Sequence, residues 1–160
     1  MSWDLYRGIQ YSLKDFLVAE AASDSLVDSD GESINFQIGR RNDQNWELNT
    51  ITIYLESETS ERAYVGSNQR FETYLVIIDI YAKTEIDRYF LARWTTEAIN
   101  DGWQNYTYTY NAGNPELPTK STNGYARINF LSNTRVALGQ TISEFDRNRH
   151  RISILVEIVS

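Results

Sequence analysis

RFETYLVIIDIYAKTEIDRYFLARWTTEAINDG, residues 70–102, is the stretch that decides the fold class. Its first half is apolar on both alternating sets, with Tyr74, Val76, Ile78 and Ile80 on one side and Leu75, Ile77 and Tyr81 on the other. A strand with one wet face alternates apolar and polar; one that is apolar on both sides is covered on both, so 70–83 reads as a central strand. The period then changes. Thr84-Glu85-Ile86-Asp87 has the spacing of a capping box, Ile86, Phe90, Trp94 and Ala98 recur at four-residue steps, and Asn100-Asp101-Gly102 supplies a stop. The spacing predicts a helix over about 85–101, with that stripe as its buried face.

Outward from this centre, Trp3, Leu5, Tyr6, Ile9, Leu13, Phe16 and Leu17 recur every three or four residues, with Ser2 placed to cap and Asp4 in the first turn. A second amphipathic helix over 2–22 follows, with Gly8 inside it as a position for close packing. Ile34, Phe36 and Ile38, then Ile51, Ile53 and Leu55, alternate with polar neighbours and read as strands. NYTYTYN (105–111), GYARINFLSNTRVAL (124–138) and RHRISILVEIVS (149–160) add three more. Segregated helices beside mostly hairpin-like strands give an α+β class: one domain over residues 1–160, a mostly antiparallel sheet with both helices packed on one face. The strand Tyr106 to Tyr110 is expected to expose a backbone edge that invites pairing with another chain.

A chain of 160 residues suits one hydrophobic core. Net charge is −7, which as a whole repels nucleic acid and anionic membrane. Zero cysteines exclude a disulfide framework, a thiolate zinc site and cysteine nucleophiles. No apolar run reaches the roughly 18 residues needed to span a bilayer. The start MSWDLYRGIQ lacks the pattern of a signal peptide, so an unprocessed soluble chain is expected.

Catalytic residue types are sparse. The one histidine, His150, lies in a run with Arg147, Arg149 and Arg151 and reads as a solvated strand residue. There is no second histidine and no G-x-S-x-G, which disfavours a serine triad. Asp79, a carboxylate in an apolar run, reads as an arginine-paired structural ion, with an active-site role as the rival. Asp28-Ser29-Asp30-Gly31 is out of frame for a calcium loop and reads as an Asx turn. No glycine constellation for nucleotides occurs, and no cofactor is expected. Tyr106, Tyr108 and Tyr110 form an aromatic row that either packs inside the fold or, with an exposed Trp46 or Trp103, stacks sugars in a carbohydrate- or receptor-binding module. The basic cluster and Arg40-Arg41 read as partners for acidic loops of another subunit.

VGSNQRFETYLVIIDIYAKTEIDRYFLARWTTEAINDGW (65–103), with the N-terminal helix and the last strand pair, resembles the tail-terminator or tail-completion proteins of long-tailed bacteriophages. The resemblance covers nearly the whole chain in coarse order, through patterns of polarity. It implies a structural virion subunit without catalytic residues, assembled in the host cytoplasm as a ring, usually a hexamer. Such a ring caps the tail tube, stops its polymerisation, docks to the head-side connector or neck protein and leaves a channel through which DNA passes without specific binding. A neighbouring connector component is the closest alternative. Under this reading Arg147, Arg149, His150, Arg151, Tyr106, Tyr108 and Tyr110 are expected at the subunit interface. Two long polar segments are expected as docking loops, 57–69 with Glu58, Glu61 and Arg62, and 111–124 with Asn114, Pro115, Glu116, Pro118 and Lys120.

Overall fold

The computed structural model describes residues 5–39, 48–62, 70–109, 119–137 and 148–159. In chain order these form α1 (Leu5–Ser23), β1 (Asn35–Ile38), β2 (Thr50–Arg62), β3 (Arg70–Tyr81), α2 (Glu85–Ile99), β4 (Trp103–Thr109), β5 (Thr119–Ala137) and β6 (Asn148–Val159). The strands make one six-stranded sheet in the order β1-β2-β3-β6-β5-β4. Only β1 runs parallel to its neighbour β2; the other pairings are antiparallel. The class is α+β, as the sequence predicts.

β3 is the centre. Its even residues Tyr74, Val76, Ile78 and Ile80 are fully buried and meet Leu55, Ile53 and Ile51 of β2 and Val156, Ile154 and Ile152 of β6. Ile9, Leu13 and Leu17 of α1, at four-residue steps, and Leu91, Ala92 and Ile99 of α2 close over the same cluster. Each such aliphatic side chain contributes about 1.5–3 kcal/mol on full burial.

The sheet curls: α1 lies against β4 and also against β2 and β1, strands at opposite ends of the order. Two polar residues of α1 make that position specific. Glu56 is an extra residue in β2 at the register shift between Leu55 and Ser57, and the buried Gln10 Oε1 accepts from the Leu55 N–H at 3.0 Å. Gln10→Leu should therefore cost about 1–3 kcal/mol, the penalty of an orphaned buried N–H, measurable by urea denaturation. On the other side Ser12 Oγ accepts from the Tyr106 N–H at 2.9 Å and donates to the Tyr106 carbonyl at 3.4 Å. Gly8 makes room for this approach, since a Cβ there would lie 2.8 Å from the Tyr106 oxygen. The β4 edge that the sequence suggested as a pairing surface is thus covered at Tyr106 by α1.

α2 starts as its sequence predicts. Thr84 caps it, accepting from the Asp87 N–H, and the Asp87 carboxylate accepts from Thr84 Oγ1 and from both the N–H and hydroxyl of Ser29. Arg88 Nη1 donates to the Ala82 carbonyl. These two anchored polar side chains turn the first helical turn, so that Asp87 and Arg88 are buried while Ile86 and Phe90 of the expected inner stripe face solvent. Trp94 and Ala98, further along the stripe, do pack on the core.

Both expected docking loops are shorter than the sequence suggested. Glu58, Glu61 and Arg62 belong to β2, paired with Tyr74, Phe71 and Arg70 of β3, and Lys120 belongs to β5, paired with Tyr108. Asn114, Pro115, Glu116 and Pro118 lie outside the described residues, as do Tyr110, Trp46, Arg40, Arg41, Arg147 and the N-terminal Ser2, Trp3 and Asp4.

Candidate functional site

The basic run near the start of β6 is divided by strand alternation. Arg149 and Arg151 point to the sheet face opposite the helices, and His150 points beneath α2. His150 is buried rather than solvated: its ring lies edge-on to Tyr89 at 5.8 Å and its Nε2 bonds Asn133 Oδ1, at the floor of a groove of about 300 Å³ that Thr96 also lines.

Arg151 sits directly across from Asp79 and takes both its oxygens, Nε to Oδ1 at 2.9 Å and Nη2 to Oδ2 at 3.0 Å, while Nη2 also reaches the Tyr54 hydroxyl. Arg149 donates to the Tyr81 hydroxyl, with its Nε 3.9 Å from Asp79 Oδ2. The hydrogen bonds that Arg151 donates to Asp79 hold its guanidinium above its ordinary pKa. Asp79 is 2% exposed and is the arginine-paired ion expected of it. Arg149 and Arg151 are thereby committed inside the subunit, where the sequence placed them in contact with acidic loops of another.

The aromatic row is committed as well. Tyr108 is 4% exposed, donates to Asp15 Oδ2 at 2.7 Å and packs against Tyr11; burial first, then that bond, pushes its hydroxyl above the usual tyrosine range. Tyr106 is half-buried with Lys120 Nζ 4.6 Å over its ring, and Trp103 is buried in the core. None of the three is a free stacking face for a sugar.

Among the described residues, two exposed apolar patches lie on opposite layers. On the outer face of α2, Ile86 is 76% exposed and Tyr89 and Phe90 are each 49% exposed, bordered by the Arg93–Glu97 ion pair. On the outer face of the sheet, Phe130 is 57% exposed and pairs across to Leu155, itself opposite Leu75. Register places the exposed Tyr125 and Val159 on that face too, with the Arg127–Glu157 bridge between them and Phe130. Hydrogen bonds from Arg127 and Asn129 lower the Glu157 pKa. By spacing alone Ile86 and Phe90 read as core residues; the signal that separates them is that Leu91, Ala92, Thr95 and Ile99 form a second stripe beside the anchored Asp87 and Arg88.

Among the described residues no group of three or more His, Asp or Glu side chains is placed to hold a metal ion, and no helix is long and apolar enough to cross a membrane. Searched against protein-family models and against curated proteins, the chain matches none.

Proposed function

We propose that this protein is a ring-forming structural subunit at the head-to-tail junction of a long-tailed bacteriophage. As a tail terminator it caps the tail tube, ends its polymerisation and docks it to the connector. The observation that supports this most is the pair of unlike apolar patches on opposite layers. A twofold dimer needs one self-complementary patch, whereas a head-to-tail contact repeated about an axis needs two different ones on opposed sides of the subunit. Exposed apolar clusters of this kind mark interaction sites. The α2 patch of one subunit meets the β5–β6 patch of the next, and the reading assigns no catalytic residue. A net charge of −7 per subunit suits a channel whose wall repels DNA and lets it slide.

Sedimentation velocity and negative-stain imaging test the ring, with closed assemblies expected and a strict monomer at high concentration counting against it. Phe90→Glu and Phe130→Glu, both at exposed positions, should each abolish assembly without unfolding the chain. Mixed together, the two variants retain one intact patch each and should form a dimer that grows no further. A dimer formed by either variant alone would reject the head-to-tail arrangement.

A further inference from the structure

Of the sheet's two edges, β4 is covered at Tyr106 by Ser12 and Gly8 of α1, while β1 has no neighbour on its outer side among the described residues. The parity of β1 follows from its inner bonds: the N–H groups of Asn35 and Gly39 donate to the carbonyls of Asn49 and Ile53 at 2.9 and 2.8 Å. In a parallel pair alternate residues bond across, so the N–H and C=O of Phe36 and Ile38 point outward. Beside this edge, where β1 meets the last turns of α1, lies an apolar groove of about 320 Å³, its walls including Val18, Leu26, Val27, Ile34 and Phe36. Val18 and Val27 are exposed.

We propose that the β1 edge and this groove take up an extended peptide segment of a partner protein. The segment has apolar side chains at alternate positions and a lysine or arginine at one end. Outward N–H and C=O groups are met by another backbone in extended form, and the adjoining groove selects the side chains on one face of the added strand. The basic end follows from the rim. Residues 23–35 carry Asp24, Asp28, Asp30 and Glu32 and no lysine or arginine. Asp28 is held in its turn by the N–H groups of Asp30 and Glu32, and Asp24 accepts from Trp94 Nε1, but the Asp30 and Glu32 side chains are exposed.

The same charges argue against a second copy as occupant. Antiparallel pairing of β1 with β1 about a twofold axis would set two such acidic loops against each other, and like charges at short range are repulsive. This surface is distinct from the two assembly patches, and the proposal stands independently of the ring.

A displayed library of random short peptides, selected on the full chain, tests it. Peptides with alternating apolar residues and a basic end are expected, with binding that weakens as salt rises. In fluorescence anisotropy their affinity should fall at least about tenfold on Val27→Glu or Val18→Glu, roughly 1.4 kcal/mol. Methylating alternate backbone nitrogens of the peptide, which removes N–H donors and leaves the side chains in place, should cause a similar loss. Circular dichroism checks that both variants stay folded, and the Phe90→Glu protein should bind as the unaltered chain does. Failure to select any peptide, unchanged affinity in both valine variants, or indifference to backbone methylation would each overturn the proposal.

Discussion

Asp79→Ala should lower the stability of the fold by about 2–4 kcal/mol and the melting temperature by roughly 4–16 °C. Asp79 lies on the central strand, and its two oxygens are the acceptors for the Arg151 fork on β6. Removing it leaves Arg151, and Arg149 behind it, as partly desolvated cations without their counter-ion. Breaking a buried pair costs about 3–5 kcal/mol; the estimate here is lower because the two arginine side chains keep 21% and 29% of their surface in water. The double change Asp79→Leu with Arg151→Leu should recover the part of the loss that comes from Arg151, since that cost comes from the orphaned charge rather than from the pair's net worth, while Arg149 keeps its share. Thermal and urea denaturation of the three proteins give the comparison. A single-variant loss below about 1 kcal/mol would mean that the guanidiniums rehydrate freely, and the account of this cluster would be wrong.

Gly102→Ala should be at least as damaging, at about 3–5 kcal/mol. Gly102 joins α2 to β4 with φ +79°, a conformation that costs an L-residue about 1–3 kcal/mol. Its Cβ would also lie 2.0 Å from the Ala126 carbonyl oxygen and 2.9 Å from the Tyr125 ring. The backbone contact cannot be relieved by a side-chain rotation, so the first pair of the β4–β5 ladder, Trp103 with Ala126, must shift, and overpacking of this kind adds about 1–3 kcal/mol. Gly31→Ala is the control. It has the same φ of +79° with nothing within 4 Å of a new Cβ, so the difference between the two variants isolates the clash. Equal losses in both would remove the close approach from the explanation.

The central strand, the α1 stripe and the Thr84 cap were legible in the sequence because each is a local periodic or capping signal that tertiary contacts reinforce. The rotation of α2 was not. Ile86 and Phe90 look like core residues by spacing, and the choice between two stripes is made by Asp87 reaching Ser29, a contact across 58 residues. Strand ends were misread for a related reason. ESETSER at 56–62 and TKSTNG at 119–124 lack apolar alternation, so nothing local marks them as strands. Pairing with β3 and β4 carries them along. His150 was misjudged because its neighbours in sequence are charged, whereas in a strand its environment is set by residues two away and by the element above. Asp79 was readable, since a carboxylate in a two-faced apolar strand requires a cation; which arginine supplied it was not. The two apolar patches rest on burial, which periodicity alone does not reveal.

The seat of α1 has a consequence for synthesis. The helix is made first, but Tyr106, to which Ser12 bonds, follows 94 residues later. At roughly 5–20 residues per second, a nascent chain carries that amphipathic segment unpartnered for about 5–20 seconds before its cradle exists. During that interval its apolar stripe is open to chaperones and to other nascent chains, and the interval is fixed by gene order within the domain rather than by the strength of any contact.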